Sequence, residues 1–231
     1  MRLAIIGAMD EEVELIKNRL DKLVIEYHNG FEFYLGKYKK LDLIVVVSRI
    51  GKVASGMLLG TLFSVYNDVD KVINVGVSGG VKGAVKPGEV VVSEKLSYAD
   101  ADVRAFNYEY GQMAGLPLYY EGDKQLLNLI NSFCYKGVIL TGDSFQTNER
   151  LVKLIIDSYF ANQNVMCFDM ESTAFAQCCY LKNIGFLAIR AISDVIGNTE
   201  QETQYENCMK MACEKADAIL IEVLEGVNDG I

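Results

Sequence analysis

Apolar and polar positions along this chain switch between two rhythms. Residues 2–6 (RLAII) form an unbroken apolar run, the pattern of a strand covered on both faces. The following DEEVELIKNRLDKL places Val13, Ile16, Leu20 and Leu23 three or four apart, which predicts an amphipathic helix over 10–23. Its acids, Asp10 to Glu12, fall in the first turn, where the helix dipole favours negative charge. FEFYLG at 31–36 and DLIVVVS at 42–48 predict a hairpin, and 51–66 a largely buried helix. VINVGVSGG at 72–80 predicts a strand running into a glycine-rich turn, with a further strand, GEVVVS, at 88–93. Beyond it the pattern predicts helices over 123–133, 147–159, 171–182 and 199–226, and strands over 137–140, 164–169 and 185–192. Residues 97–120 have little period and many tyrosines, and a long irregular segment in a compact domain is usually functional. This exchange of strand and helix predicts an α/β fold of three layers, a central mixed, mostly parallel sheet flanked by helices, in a single domain over 1–231.

Composition narrows the functional classes. The 231 residues are 51% hydrophobic with only 2 Pro, enough to bury a substantial core. Lys and Arg number 22 against 31 Asp and Glu, a net charge of −9. So acidic a chain gains no counterion-release energy on a polyanion, which argues against nucleic acid or an anionic membrane as partner. No apolar run approaches the ~20 residues of a membrane span. The opening MRLAIIGAMDEE puts acids directly after a short apolar run, unlike a signal peptide. Six cysteines, with Cys178 and Cys179 adjacent, suit buried thiols in a reducing cytoplasm better than a disulfide framework. A single histidine, His28, and the lack of a Cys-x-x-Cys pair argue against zinc and leave carboxylates as the main acid–base candidates.

Two motifs concern chemistry. Gly76-Val77-Ser78-Gly79-Gly80 matches the G-x-S-x-G nucleophile elbow, yet the hydrolase triad needs a histidine downstream and His28 lies upstream. The glycines are better read as allowing a tight turn and close approach to a ligand. Three separated carboxylates, Glu12, Glu171 and Asp194, each lie where a strand passes into a helix or ends. Ligands in α/β sheets bind beyond the carboxyl ends of strands, so these acids are candidates for one crevice, although each could simply cap a helix.

GAMDEEV at 7–13, IGKVAS at 50–55, INVGVSGG at 73–80, DADVRAFNYEYGQ at 100–112, TGDSF at 141–145, DMESTAFAQ at 169–177 and RAISDV at 190–195 together resemble the 5′-methylthioadenosine/S-adenosylhomocysteine nucleosidases of the purine nucleoside phosphorylase superfamily. The resemblance runs through nearly the whole chain. It implies a purine nucleoside phosphorylase-like fold, a homodimer, no cofactor, and hydrolysis of the N-glycosidic bond of an adenine nucleoside. In those terms Asp194 resembles the acid that protonates the base at N7, with Ser193 supporting it. Glu12 resembles the residue that holds and deprotonates water, helped by Arg190. Glu171 resembles the acceptor of the ribose hydroxyls and the stabiliser of a cationic sugar. Ala8, Met9, Ile50, Met170 and Phe145 match pocket-lining positions, and Phe106 and Tyr108 match aromatics that a partner subunit inserts near the 5′ group.

The sequence also departs from the family pattern. Val77 stands where a serine near the water is common, with Ser78 adjacent, and Gln146 replaces an isoleucine beside the adenine pocket. Asp169 shortens a glutamate, Ala114 replaces a proline, and the segment after Asp194 is one residue longer, so that Tyr205 matches a pocket-closing phenylalanine. Rival readings are a 6-amino-6-deoxyfutalosine-type nucleosidase, a phosphate-dependent phosphorylase, and a nucleoside-binding sensor without turnover.

Overall fold

The computed structural model describes residues 1–230. In chain order the elements are β1 (Arg2–Gly7), α1 (Asp10–Lys17), β2 (Asp21–His28), β3 (Phe31–Tyr38), β4 (Leu41–Val47), α2 (Lys52–Val65), β5 (Lys71–Gly80) and β6 (Val90–Tyr98). There follow β7 (Tyr120–Glu121), α3 (Lys124–Leu127), β8 (Tyr135–Thr141), α4 (Glu149–Tyr159), β9 (Val165–Asp169), α5 (Ser172–Lys182), β10 (Gly185–Val195) and α6 (Gln201–Asp229). The predicted α/β class holds, with the strands in one mixed sheet. Its strand pairings divide evenly between parallel and antiparallel and are not mostly parallel as expected, because β2, β3 and β4 join as hairpins and β6 and β9 pair antiparallel with β10 and β5.

Strand alternation builds the layers. Ala4 and Ile6 of β1, with Ile44 and Val46 of β4, face the helices α2 and α5 through Leu58, Leu62 and Phe175. Their neighbours Leu3, Ile5, Leu43 and Val45 face the other way, toward Val13 and Ile16 of α1 and a long apolar stripe of α6. A third cluster seats α4 against β8 and β9 through Val152, Ile155, Leu140 and Phe168.

The pairing is not a simple open sheet. β5 runs parallel to β1 and to β10, while its last residues, Gly79 and Gly80, pair antiparallel with Phe168 and Cys167 of β9. β10 also pairs with β6, β6 with β8, and β8 with β9, so five strands close a ring. β1, β5 and β10 end at the same edge of the sheet, and that edge carries the site.

Three local readings need correction. The helix predicted over 10–23 stops at Lys17, and residues from Asp21 form strand β2. Its turn into β3 is Asn29-Gly30, both with positive φ (49° and 82°), the two-residue geometry that matches strand twist and pins a hairpin. The predicted glycine-rich turn at 76–80 is extended backbone that continues β5. The helix expected over 123–133 is a short turn, Lys124–Leu127.

Candidate active site

β1 ends at Gly7, and the chain enters α1 through Ala8 and Met9. Glu12, third residue of α1, folds back so that its Oε2 accepts from the backbone N–H groups of Ala8 (2.6 Å) and Met9 (3.1 Å). That contact caps the helix. The second oxygen, Oε1, accepts only from the N–H of Val77, at 2.9 Å, and retains accepting capacity. A Cβ at position 76 would stand 2.8 Å from the Glu12 carboxyl carbon, so glycine there permits close approach, not a turn. Burial raises the Glu12 pKa, opposed by the Arg190 charge and by the three N–H donors.

Arg190, 1% exposed, issues from the middle of β10. Its Nε donates to Asp169 Oδ2 at 2.9 Å, and its Nη2 donates to Asn74 Oδ1. Asp169, at the end of β9, also accepts from Thr141 Oγ1 at 2.5 Å. Arg190 therefore acts on Glu12 through charge and not through a hydrogen bond. Burial opposes its cationic form, but Asp169, Glu12 and Glu171 outweigh that and raise its pKa.

Glu171 occupies the N-cap position of α5 yet does not cap it. Its Oε1 instead accepts from the Gly51 N–H at 3.0 Å, at the start of α2. Burial, with repulsion from Asp169, raises its pKa to about 7 against the pull of Arg190.

Asp194 lies past a register shift in β10 between Ile192 and Asp194, a bulge of the kind that re-aims a side chain. It is fully buried. Its Oδ1 accepts from Ser193 Oγ at 2.6 Å and its Oδ2 from Gln201 Nε2 at 2.7 Å. Burial raises its pKa, and those two donors oppose the rise.

Glu12, Asp169, Glu171 and Asp194 line one cleft, with Ala8, Met9, Ile50, Val77, Ser78, Phe145, Gln146, Met170, Ser193 and Tyr205 around them. The sequence-derived set thus converges, with three exceptions. Arg190 sits behind the wall, and Phe106 and Tyr108 lie outside this chain's own cleft. Val77 donates its backbone N–H to Glu12, as any residue but proline would there, and its side chain offers no hydroxyl. The Tyr205 ring packs edge-on to Phe145, centroids 5.8 Å apart, across the cleft. Sequence reasoning missed Gln201 and Asn74. Asn74 carried a signal, a lone amide inside an apolar strand, whereas Gln201 is one polar residue among many.

Residues 2–225 match the sequence profile of the phosphorylase superfamily, so the chain belongs to that superfamily. A 5′-methylthioadenosine/S-adenosylhomocysteine nucleosidase of Bacillus cytotoxicus is 36% identical, over 97% of this chain and 99% of its own. The crystal structure of Streptococcus pneumoniae MTA/SAH nucleosidase in complex with 8-aminoadenine is 34% identical with a TM-score of 0.91, covering 98% of this chain and 100% of that one. The Streptococcus pyogenes S-adenosylhomocysteine nucleosidase in complex with 5-methylthiotubericidin is 32% identical, TM-score 0.91, covering 97% and 96%. Within the superfamily, the chain belongs to the 5′-methylthioadenosine/S-adenosylhomocysteine nucleosidase family.

The raised Glu171 pKa carries a linkage prediction. The folded state holds a proton on Glu171 up to about pH 7, whereas its ordinary pKa is 4.5. Between those values the folded state binds more protons than the unfolded one, so this group's contribution to stability falls as pH rises through the window. Glu171→Gln removes the penalty and keeps an acceptor for Gly51. Its melting temperature is expected to exceed the wild type's by at least ~2 °C at pH 8, with a smaller gain at pH 5, by calorimetry. An equal gain at both pH values would contradict the linkage.

Proposed function

We propose that this protein hydrolyses the N-glycosidic bond of 5′-methylthioadenosine and S-adenosylhomocysteine, releasing adenine and the thioribose. The observation that carries the reading is the convergence of four carboxylates, each differently held, on one largely apolar cleft. Breaking the bond puts positive charge on the sugar and negative charge on the base. Asp194, buried with a raised pKa, suits protonation of the base at N7, and Ser193 orients it. Glu171 has one oxygen committed to Gly51 and the other available for ribose hydroxyls, and its carboxylate offsets charge on the sugar. Glu12, its orientation fixed by three backbone donors, has accepting capacity on Oε1 for a water and its proton. Arg190 tempers the mutual repulsion of these acids.

The Glu12 carboxylate also favours hydrolysis over phosphorolysis. A carboxylate and a phosphate dianion ~4 Å apart repel by several kcal/mol at an effective dielectric near 20, whereas the same carboxylate orients and activates water. The proposal extends to a single domain working as a cytoplasmic homodimer without a cofactor, with neither nucleic acid nor membrane as partner. Returning methylthioribose and adenine from methylthioadenosine would serve methionine salvage. Phe106, 76% exposed, and the exposed Val53 and Met57 one turn apart on α2 are apolar surface that a second copy would bury. Among the described residues no helix is long and apolar enough to cross a membrane.

The direct test measures adenine release from methylthioadenosine, adenosylhomocysteine and 6-amino-6-deoxyfutalosine side by side in phosphate-free buffer, then with phosphate added. Free methylthioribose under both conditions is expected. A sugar 1-phosphate, or no reaction until phosphate is added, would overturn hydrolysis, and preference for the futalosine would reassign the substrate. Glu12→Gln and Asp194→Asn are each expected to lower turnover by about a hundredfold or more while the fold, followed by circular dichroism, persists. Near-normal turnover in either folded variant removes that residue from the mechanism. Sedimentation at micromolar concentration is expected to give a dimer, and Phe106→Ala with Tyr108→Ala should raise KM for methylthioadenosine. A fully active monomer would contradict the shared site.

A further inference from the structure

Gln201, the first residue of α6, is 5% exposed and has its carboxamide inside the cleft. One nitrogen, Nε2, donates to two acceptors, Asp194 Oδ2 at 2.7 Å and the carbonyl oxygen of Gln146 at 2.8 Å. Its Oε1 accepts from the Gly197 N–H at 2.9 Å. Both acceptors of Nε2 belong to the cleft wall. Two acceptors spanned by one planar NH₂ form a seat for a primary amine on a flat π-system, and an amide and an aminopurine present that same group. Tyr205 stands four residues on, on the same face of α6, with its hydroxyl 3.6 Å from Met9 Sδ. The first turn of α6 thus sends two side chains into the cleft at once. That turn is tied to the end of β10 by Gln204, whose Oε1 accepts from the Val195 N–H at 2.9 Å.

We propose that Gln201 is an internal competitor of the base. Its carboxamide and the amino group of a bound 6-aminopurine are alternative occupants of the seat formed by Asp194 and the Gln146 carbonyl, and base binding requires the first turn of α6 to withdraw Gln201. The inference rests on the nucleosidase reading for the identity of the base. Exchange of one NH₂ for another leaves neither buried acceptor unpaired at either end point, so the swap avoids the cost of a bare carbonyl or carboxylate. The competition lowers the apparent affinity of the base by the fraction of molecules whose seat is free. It also couples base entry to movement of Tyr205, because both residues ride on one helical turn.

The test is calorimetric titration of adenine into the wild type and Gln201→Ala, with a crystal structure of the wild-type adenine complex. Gln201→Ala is expected to bind adenine about fivefold more tightly or better. In the complex Gln201 should have left Asp194, with the adenine amine in its place. Unchanged or weaker adenine binding by a folded Gln201→Ala protein would overturn the proposal, because a residue that merely positions Asp194 helps the ligand. So would a complex in which Gln201 still donates to Asp194 beside bound adenine. A wild-type protein that binds no adenine would instead overturn the nucleosidase reading, and this inference with it.

Discussion

Arg190 is a single cation, 1% exposed, in a neighbourhood of carboxylates, and the geometry around it follows from that imbalance. A guanidinium cannot shed its charge, so its burial demands fixed acceptors on every side. Asp169 and Asn74 provide them, from the end of β9 and the middle of β5. β9 and β10 do not pair with each other but each pairs with β5, so the ion pair spans β5 and does not follow a ladder. Removing either partner would strand a buried charge, typically the most costly kind of polar loss. The same guanidinium lets Glu12 and Glu171 be buried near one another, each with an elevated pKa.

The division between what the sequence discloses and what it hides follows the range of the forces involved. Strand and helix alternation is local, and so is the placement of Glu12, Glu171 and Asp194 at element ends, so these were legible in the residues. Helix α1 was over-extended because the apolar spacing of Leu20 and Leu23 continues a helical period, while Asn29-Gly30, the stronger local signal, fixes a hairpin and draws 21–28 into the sheet. The segment 76–80 looked like a turn because glycines commonly mark turns. Here they serve proximity: Gly76 gives room to Glu12, which lies 64 residues earlier, and no local pattern reports such a neighbour. Gln201 was hidden for the same reason, since its partners are set by the bulge in β10 and the loop that carries Gln146.

Glu12 shows that structural and chemical duties need not exclude each other. Its Oε2 satisfies two backbone donors at the start of α1, as an ordinary capping carboxylate would, while Oε1 faces β5. Capping removes rotamer freedom, and the chemistry benefits from that rigidity. Glu171 makes the opposite choice. It sits at a cap position without capping and holds the turn before α2 instead.

The closed ring of β5, β10, β6, β8 and β9 also constrains how the chain reaches this state. Its site gathers residues from Ala8 to Tyr205, and the ring closes only when β9 and β10, late in the chain, join β5 from its first half. Closure entropy must be met before these distant pairings return any energy, which places ring closure late in folding. A collapsed intermediate with its helices formed but the ring open would therefore lack the Arg190–Asp169 bridge and the base seat together. In refolding from denaturant, recovery of helical circular dichroism would run ahead of recovered turnover, and the lag would time the closing of the ring.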